Sequence, residues 1–426
     1  MEYVTQAEPN EVHEIMREFT IGDGEHIVVD REKSSGSYMV DARNGRRYLD
    51  CASQFASQAL GWNHPKLVPA MAHLGVTALH KYANSDYYST DLADFVREFA
   101  NITPDFKYHF FIEGGALAVE NAIKAAFDWK ARLLDLDDDE VNDLDVIHFK
   151  QSFHGRSGYT LSLTNTVPNK VSLFPKFKWS RVLNPKIHYP VVEHDVLAAE
   201  KESLYQILTA ITKNAKKTAA LVVESIQGEG GDNHFRPEFF QQLRQIADTH
   251  DVMLIMDEVQ TGLGMTGHFW CYQHYGIVPD MICFGKKTQV CGFCCTDRID
   301  TVENNVFHTS SRINSTWGGN IVDMVRCKYI IQIILEDGLV ANAANVGRYF
   351  LNKLHAVPRI SNVRGRGLFL AFDLESDSSR NDVLNKMREE MTVLPCGERS
   401  IRLRPHLTFS QQDVDEAVRI ITKAVS

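Results

Sequence analysis

Apolar residues in this chain gather in short unbroken runs rather than in strict alternation with polar ones. Val252–Met256 and Met281–Phe284 are apolar throughout, the pattern of strands covered on both faces. Tyr108–Ile112, Asp145–His148 and Ala219–Val223 are further strand candidates, and Ala116–Leu133 and Pro237–Thr249 read as helices between them. Strands that alternate with helices predict a mostly parallel sheet, so 66–330 reads as one large α/β domain.

The two ends are patterned differently. Glu11–Phe19 predicts an amphipathic helix, and Asn44-Gly45 between Tyr38-Met39-Val40 and Tyr48-Leu49 predicts a hairpin. Punctuation at Gly61-Trp62-Asn63-His64-Pro65 places a boundary near 65, so 1–65 is an N-terminal segment. From 331 to 426 a long helix to about Leu354 is expected. A strand pair (Val363–Gly367, Leu368–Asp373) and a closing helix from Gln411 or Gln412 to Ala424 follow. The run Asp135–Glu140 reads as a solvated loop.

Composition narrows the picture. At 426 residues the chain exceeds one ordinary core, and a formal charge of −10 argues against nucleic acid or an anionic membrane surface as partner. No apolar run approaches the ~18 residues that span a bilayer. Met1–Asn10 is polar and acidic, unlike a signal peptide, so a cytoplasmic protein is expected. Cys291, Cys294 and Cys295 form a CxxCC cluster. No second ligand pair follows closely, so they are expected to pack as small apolar groups, and no metal is expected.

Two of the apolar runs end in groups that can do chemistry. Val252–Met256 leads into Asp257, and Met281–Phe284 leads into Gly285, Lys286 and Lys287. In open α/β sheets, ligands bind beyond the carboxyl ends of the strands. A desolvated lysine can form a Schiff base with an aldehyde, and pyridoxal phosphate needs one such lysine and an acid facing its ring nitrogen. An Asp after a strand is also a common turn residue, and this stretch alone does not choose between Lys286 and Lys287.

Three other segments bear on the choice. Glu113-Gly114-Gly115-Ala116 joins a strand to an Ala-rich helix, where glycines and free amides can receive an anion; a tight turn explains it equally well. Phe153-His154-Gly155-Arg156 puts a ring face beside a guanidinium fork, while His154 alone reads as a loop residue. Gly-rich loops carry Glu224, Gln227 and Glu229, then Ser315 and Thr316. Arg402 and Arg404 share one face of a strand, so one of the two reads as a surface residue.

In this order the segments resemble the class III (ω-amino acid) aminotransferases of pyridoxal phosphate fold type I, from about Tyr38 to Ser410. The most specific stretch is Asp257-Glu258-Val259-Gln260-Thr261-Gly262, followed by Pro279-Asp280 and Gly285-Lys286. The resemblance implies a large cofactor domain with a mostly parallel sheet, and a small α+β domain built from both termini. It assigns Lys286 to the cofactor's covalent bond, Asp257 to the ring nitrogen, and Val259 and Phe153 to the ring faces. Gln260 is assigned to the ring hydroxyl, Gly115 and Ala116 to the phosphate, and Glu224 to the same shell. Thr316 is expected to reach the other subunit's phosphate, which implies a homodimer with shared sites. Arg156, Glu229, Gln260, Asn314 and Arg404 are assigned to substrate. Gly114, Leu117, Ser225 and Met265 depart from residues many members carry, and none of them is a group the chemistry requires.

Phe153–Asn165 and Gly285–Gly292 are most similar to members that act on the ε-amine of L-lysine. The reaction this implies passes that amine to 2-oxoglutarate. It gives L-glutamate and 2-aminoadipate 6-semialdehyde, which cyclises to piperideine-6-carboxylate. Arg156 would hold the distant carboxylate of lysine, and Glu229 is expected to pair with Arg404 for lysine and release it for 2-oxoglutarate. Ornithine, acetylornithine or 4-aminobutyrate are alternative donors. A decarboxylase or aminomutase would use the same Lys and Asp, and a catalytically silent binding protein is the reading from another class.

Overall fold

The computed structural model describes residues 7–81 and 83–426; Met1 to Gln6 of the acidic N-terminal stretch lie outside them. At the centre is a seven-stranded sheet. Its strands follow in the order Tyr108–Ile112, Cys291–Cys295, Met281–Phe284, Met253–Asp257, Thr218–Glu224, Asp145–Phe149 and Arg181–Val182. From Met281–Phe284 to Arg181–Val182 every neighbouring pair is parallel, and only Cys291–Cys295 runs antiparallel to both its neighbours. All five expected strands are present. Cys291–Cys295 carries no β-branched residue, so its strand is not announced by the sequence. Its cysteines are buried and unpaired, as expected of small apolar groups.

Both faces of this sheet are covered, which is why its strands read as continuous apolar runs. One face packs Val222, Ile255 and Cys283 against Val119, Ile123 and Trp129 of the helix Gly115–Leu134. The other packs Leu254, Met256, Ile282 and Phe284 against Phe95, Phe99 and Phe239. Fully burying each such side chain contributes about 1.5–3 kcal/mol.

The two ends of the chain meet. The hairpin Tyr38–Val40/Arg47–Asp50 is joined in parallel by Met391–Thr392. A separate four-stranded antiparallel sheet contains Ser361–Arg366, Phe369–Asp373, Ser400–Leu403 and Leu394–Cys396. The N-terminal helix spans Val12–Phe19 and the closing helix Gln411–Val425. The single helix expected from 331 is instead two, Ile321–Glu336 and Leu339–His355, so a boundary at 330 falls inside the first. Apolar spacing continues across the break, and only Gly338, at φ +61°, marks it. No helix among the described residues is long and apolar enough to cross a membrane.

Candidate active site

The carboxyl ends of adjacent parallel strands open into a cavity of ≈ 770 Å³, the size that takes a cofactor with a small substrate. Register pairs Glu224 with Asp257, and Asp257 with Cys283, just ahead of Gly285 and Lys286. Two carboxyls and an amine are thereby delivered to one edge of the sheet. Gly115, Ala116, Phe153, Arg156, Val259, Gln260 and Glu229 also line this space. Ten residues singled out in the sequence are thus brought together.

Asp257 is held from two sides. Its Oδ2 accepts a hydrogen bond from His154 Nδ1 at 2.8 Å, and its Oδ1 accepts the Val259 N–H at 3.0 Å. Burial by itself would strip His154 of its proton. The bond to Asp257 and the charges of Asp257 and Glu224 reverse this and raise the imidazole above its ordinary pKa. His154 is therefore an orienting group for Asp257, a role its place in a loop does not reveal. The next residue, Glu258, turns into the core, where Ser225, Thr261 and the Cys271 and Tyr272 amides saturate it.

The helix Gly115–Leu134 begins at the cavity, with Gly114 at φ +95° making the turn. Its first amides have no helical partner and form a ready anion site. The loop after Phe153 lies so close that a Cβ on Gly155 would stand 2.4 Å from Ala116 Cβ, so only glycine fits. Val259 packs on Gly115 from the other side.

The two lysines part company in space. Lys286 lines the cavity, and burial lowers its pKa, with Asp257 opposing. It adopts φ +56°, a left-handed backbone that costs about 1–3 kcal/mol and is tolerated mainly at functional sites. Lys287 turns away and donates to the Ala56 carbonyl at 3.0 Å in the core. The residues present fit pyridoxal phosphate: an enclosed amine for its aldehyde, a held carboxylate for its ring nitrogen, Val259 and Phe153 for its faces, and helix amides for its phosphate.

On the substrate side the structure corrects one expectation. Arg404 does not line the cavity and does not meet Glu229. It is fully buried and pairs with Asp232, donates to Gln260 Oε1 at 3.0 Å, and stacks 3.3 Å over the Phe369 ring. The strand ends at Leu403, so alternation no longer governs where Arg404 points. Neither arginine is a surface residue; Arg402 is 7% exposed and its Nε has no hydrogen-bond partner. Glu229 instead pairs with Lys170 at 2.6 Å. Arg156 is exposed and lines the cavity, while Asn314 and Thr316 lie outside it. Gln289, from the Gly285–Gly292 stretch, joins the walls, and Ser57, Asp323 and Arg326 add to them from segments with no local sequence signal.

Comparison with known proteins agrees with this geometry. Residues 21–425 match the family described as "Aminotransferase class-III". The chain is 45% identical to an L-lysine-epsilon aminotransferase of Mycobacterium tuberculosis, over 98% of this chain and 96% of the relative. The solved structure of a lysine aminotransferase from M. tuberculosis superposes with a TM-score of 0.94 at 45% identity, covering 98% of this chain and 99% of that one. A 4-aminobutyrate aminotransferase of Kluyveromyces lactis is 34% identical over 94% of this chain and 90% of its own length. The cofactor is pyridoxal phosphate, and this chain belongs to the class III aminotransferases.

Proposed function

We propose that the chain moves the ε-amino group of L-lysine to 2-oxoglutarate, giving L-glutamate and 2-aminoadipate 6-semialdehyde. The observation that carries this is the guanidinium of Arg156, placed in the same cavity as Lys286 with no ion pair among the described residues. A fork of this kind suits the carboxylate end of a long ω-amino acid. Greater identity to the lysine-acting relatives than to the 4-aminobutyrate enzyme supports lysine over shorter donors. A screen of lysine, ornithine, acetylornithine and 4-aminobutyrate with 2-oxoglutarate tests the reading. Faster turnover of any donor but lysine overturns it.

Pyridoxal phosphate, when bound, supplies the electron sink that lets a carbon bearing nitrogen lose a proton. Lys286 moves that proton, and its burial lowers the cost of carrying it as a free amine. Asp257, oriented by His154, holds the charge of the ring nitrogen. Arg156 orients the distant carboxylate of either substrate. Arg402, a buried guanidinium with no ion pair among the described residues and close enough for its charge to act on Lys286, is our candidate for the α-carboxylate of 2-oxoglutarate.

The same reading makes the active unit a cytoplasmic homodimer. Ile15, Phe19, Met71, Val76, Leu79 and Tyr88 are exposed apolar side chains that a partner would cover. Thr316 and Asn314 stand outside their own cavity, as residues serving a neighbouring site would. All eight cysteines are unpaired, in keeping with a reducing compartment.

A further inference from the structure

Glu229 reaches the cavity with its carboxylate already engaged. Lys170 Nζ donates to Oε1 at 2.6 Å, and Thr166 Oγ1 donates to the same oxygen at 2.9 Å. The Glu229 side chain is 17% exposed and that of Lys170 35%, so the pair is more shielded than an ordinary surface bridge. Lys170 also stands 5.7 Å from the centre of the Phe153 ring. The backbone of Glu229 is tied in turn to the hairpin that bears Arg402. Its carbonyl accepts the Gly397 N–H at 2.8 Å, and Leu394 is the register partner of Arg402.

In this structure Lys170 holds the carboxylate, while a second cation, Arg402, sits on the hairpin to which the Glu229 backbone is tied. We propose that Lys170, with Thr166, is a positioning residue that seats Glu229 away from Arg402. This rests on the reading of Glu229 and Arg402 as substrate-binding groups. With an apolar lysine arm in the cavity, Arg402 needs a counter-charge, and Glu229 can supply it. When a dicarboxylate enters, its own carboxylate takes that place and Glu229 must leave. An anion leaving a partner inside a protein is costly unless a second partner receives it. Lys170 is that second seat, and it biases the resting site towards the 2-oxo acid.

Calorimetric binding of glutarate, an unreactive dicarboxylate, to the resting holoenzyme reads this bias without turnover. Lys170→Met should weaken glutarate about tenfold and raise KM for 2-oxoglutarate similarly, while kinetics with lysine stay within about twofold. Lys170→Arg should bind glutarate like the parent. Adding Glu229→Gln to Lys170→Met should restore binding, since the carboxylate that competes is gone. Unchanged glutarate binding in Lys170→Met, or a loss that persists in the double variant, overturns the proposal. Glu229→Gln alone separates the two layers. If it alters neither half-reaction, the substrate role of Glu229 fails; if it alters them and Lys170→Met does not, only the role of Lys170 fails.

Discussion

Glu224 and Asp257 are register partners on neighbouring parallel strands, and both carboxyls line the same cavity. Glu224 accepts the Phe153 and Gly228 amides, each at 2.9 Å. Burial nevertheless pushes its pKa up to about 7, with His154 opposing and the charge of Asp257 adding. Glu224 therefore keeps its proton up to near neutrality, while the bond to Asp257 lets His154 hold its own to a higher pH than a free imidazole would.

These raised values predict a pH dependence for the cofactor-free protein. A carboxyl with a raised native pKa favours the fold below its unfolded value of 4.5, and this contribution is lost as pH climbs through about 7. His154 acts in the same sense, its contribution being fully present below 6.5 and lost as pH rises through its raised native value. Glu224→Gln should flatten the fall in stability between about pH 5 and about pH 8 by on the order of 3 kcal/mol. Urea unfolding at the two pH values measures it, and an undiminished slope in the variant contradicts the assignment.

Lys286 and Lys287 should separate chemically as they do in space. Borohydride reduction of the holoenzyme followed by peptide mapping should place the pyridoxyl label on Lys286. Lys287→Met should keep the label, because Lys287 reaches only the Ala56 carbonyl. Label on Lys287 would show that the cavity has been assigned to the wrong amine.

The two buried arginines should fail differently. Arg404→Met leaves Asp232 buried without its partner and should cost about 3–5 kcal/mol of stability. Arg402→Met breaks no ion pair; it should instead raise KM for 2-oxoglutarate by about 10–100-fold and spare the melting temperature. Thermal melts beside steady-state kinetics on the two variants discriminate, and the opposite pattern refutes the exchange of roles.

Shared sites can be tested by complementation. Lys286→Ala and Thr316→Ala are each expected to be nearly inactive. Mixed under conditions where subunits demonstrably exchange, they should regain up to about a quarter of parental activity, as hybrid dimers with one intact site form statistically. No recovery despite exchange argues that each chain works alone.

Much of this protein is written locally. The strands Tyr108–Ile112 and Met281–Phe284, and the helix Pro237–Thr249, have the bounds their sequences predict. Burial on two faces demands an unbroken apolar run, and a run is visible without knowing its neighbours. Asp257 and Lys286 were legible for the same reason, since the end of a strand is a local event. The family resemblance already assigned Lys286; tertiary structure alone decided that Lys287 turns to the Ala56 carbonyl, that His154 orients Asp257, and that Arg404 belongs to Asp232 while Lys170 holds Glu229. These are contacts between segments far apart in the chain. An ion pair depends on where two distant loops come to rest, and no periodicity within either loop encodes its partner.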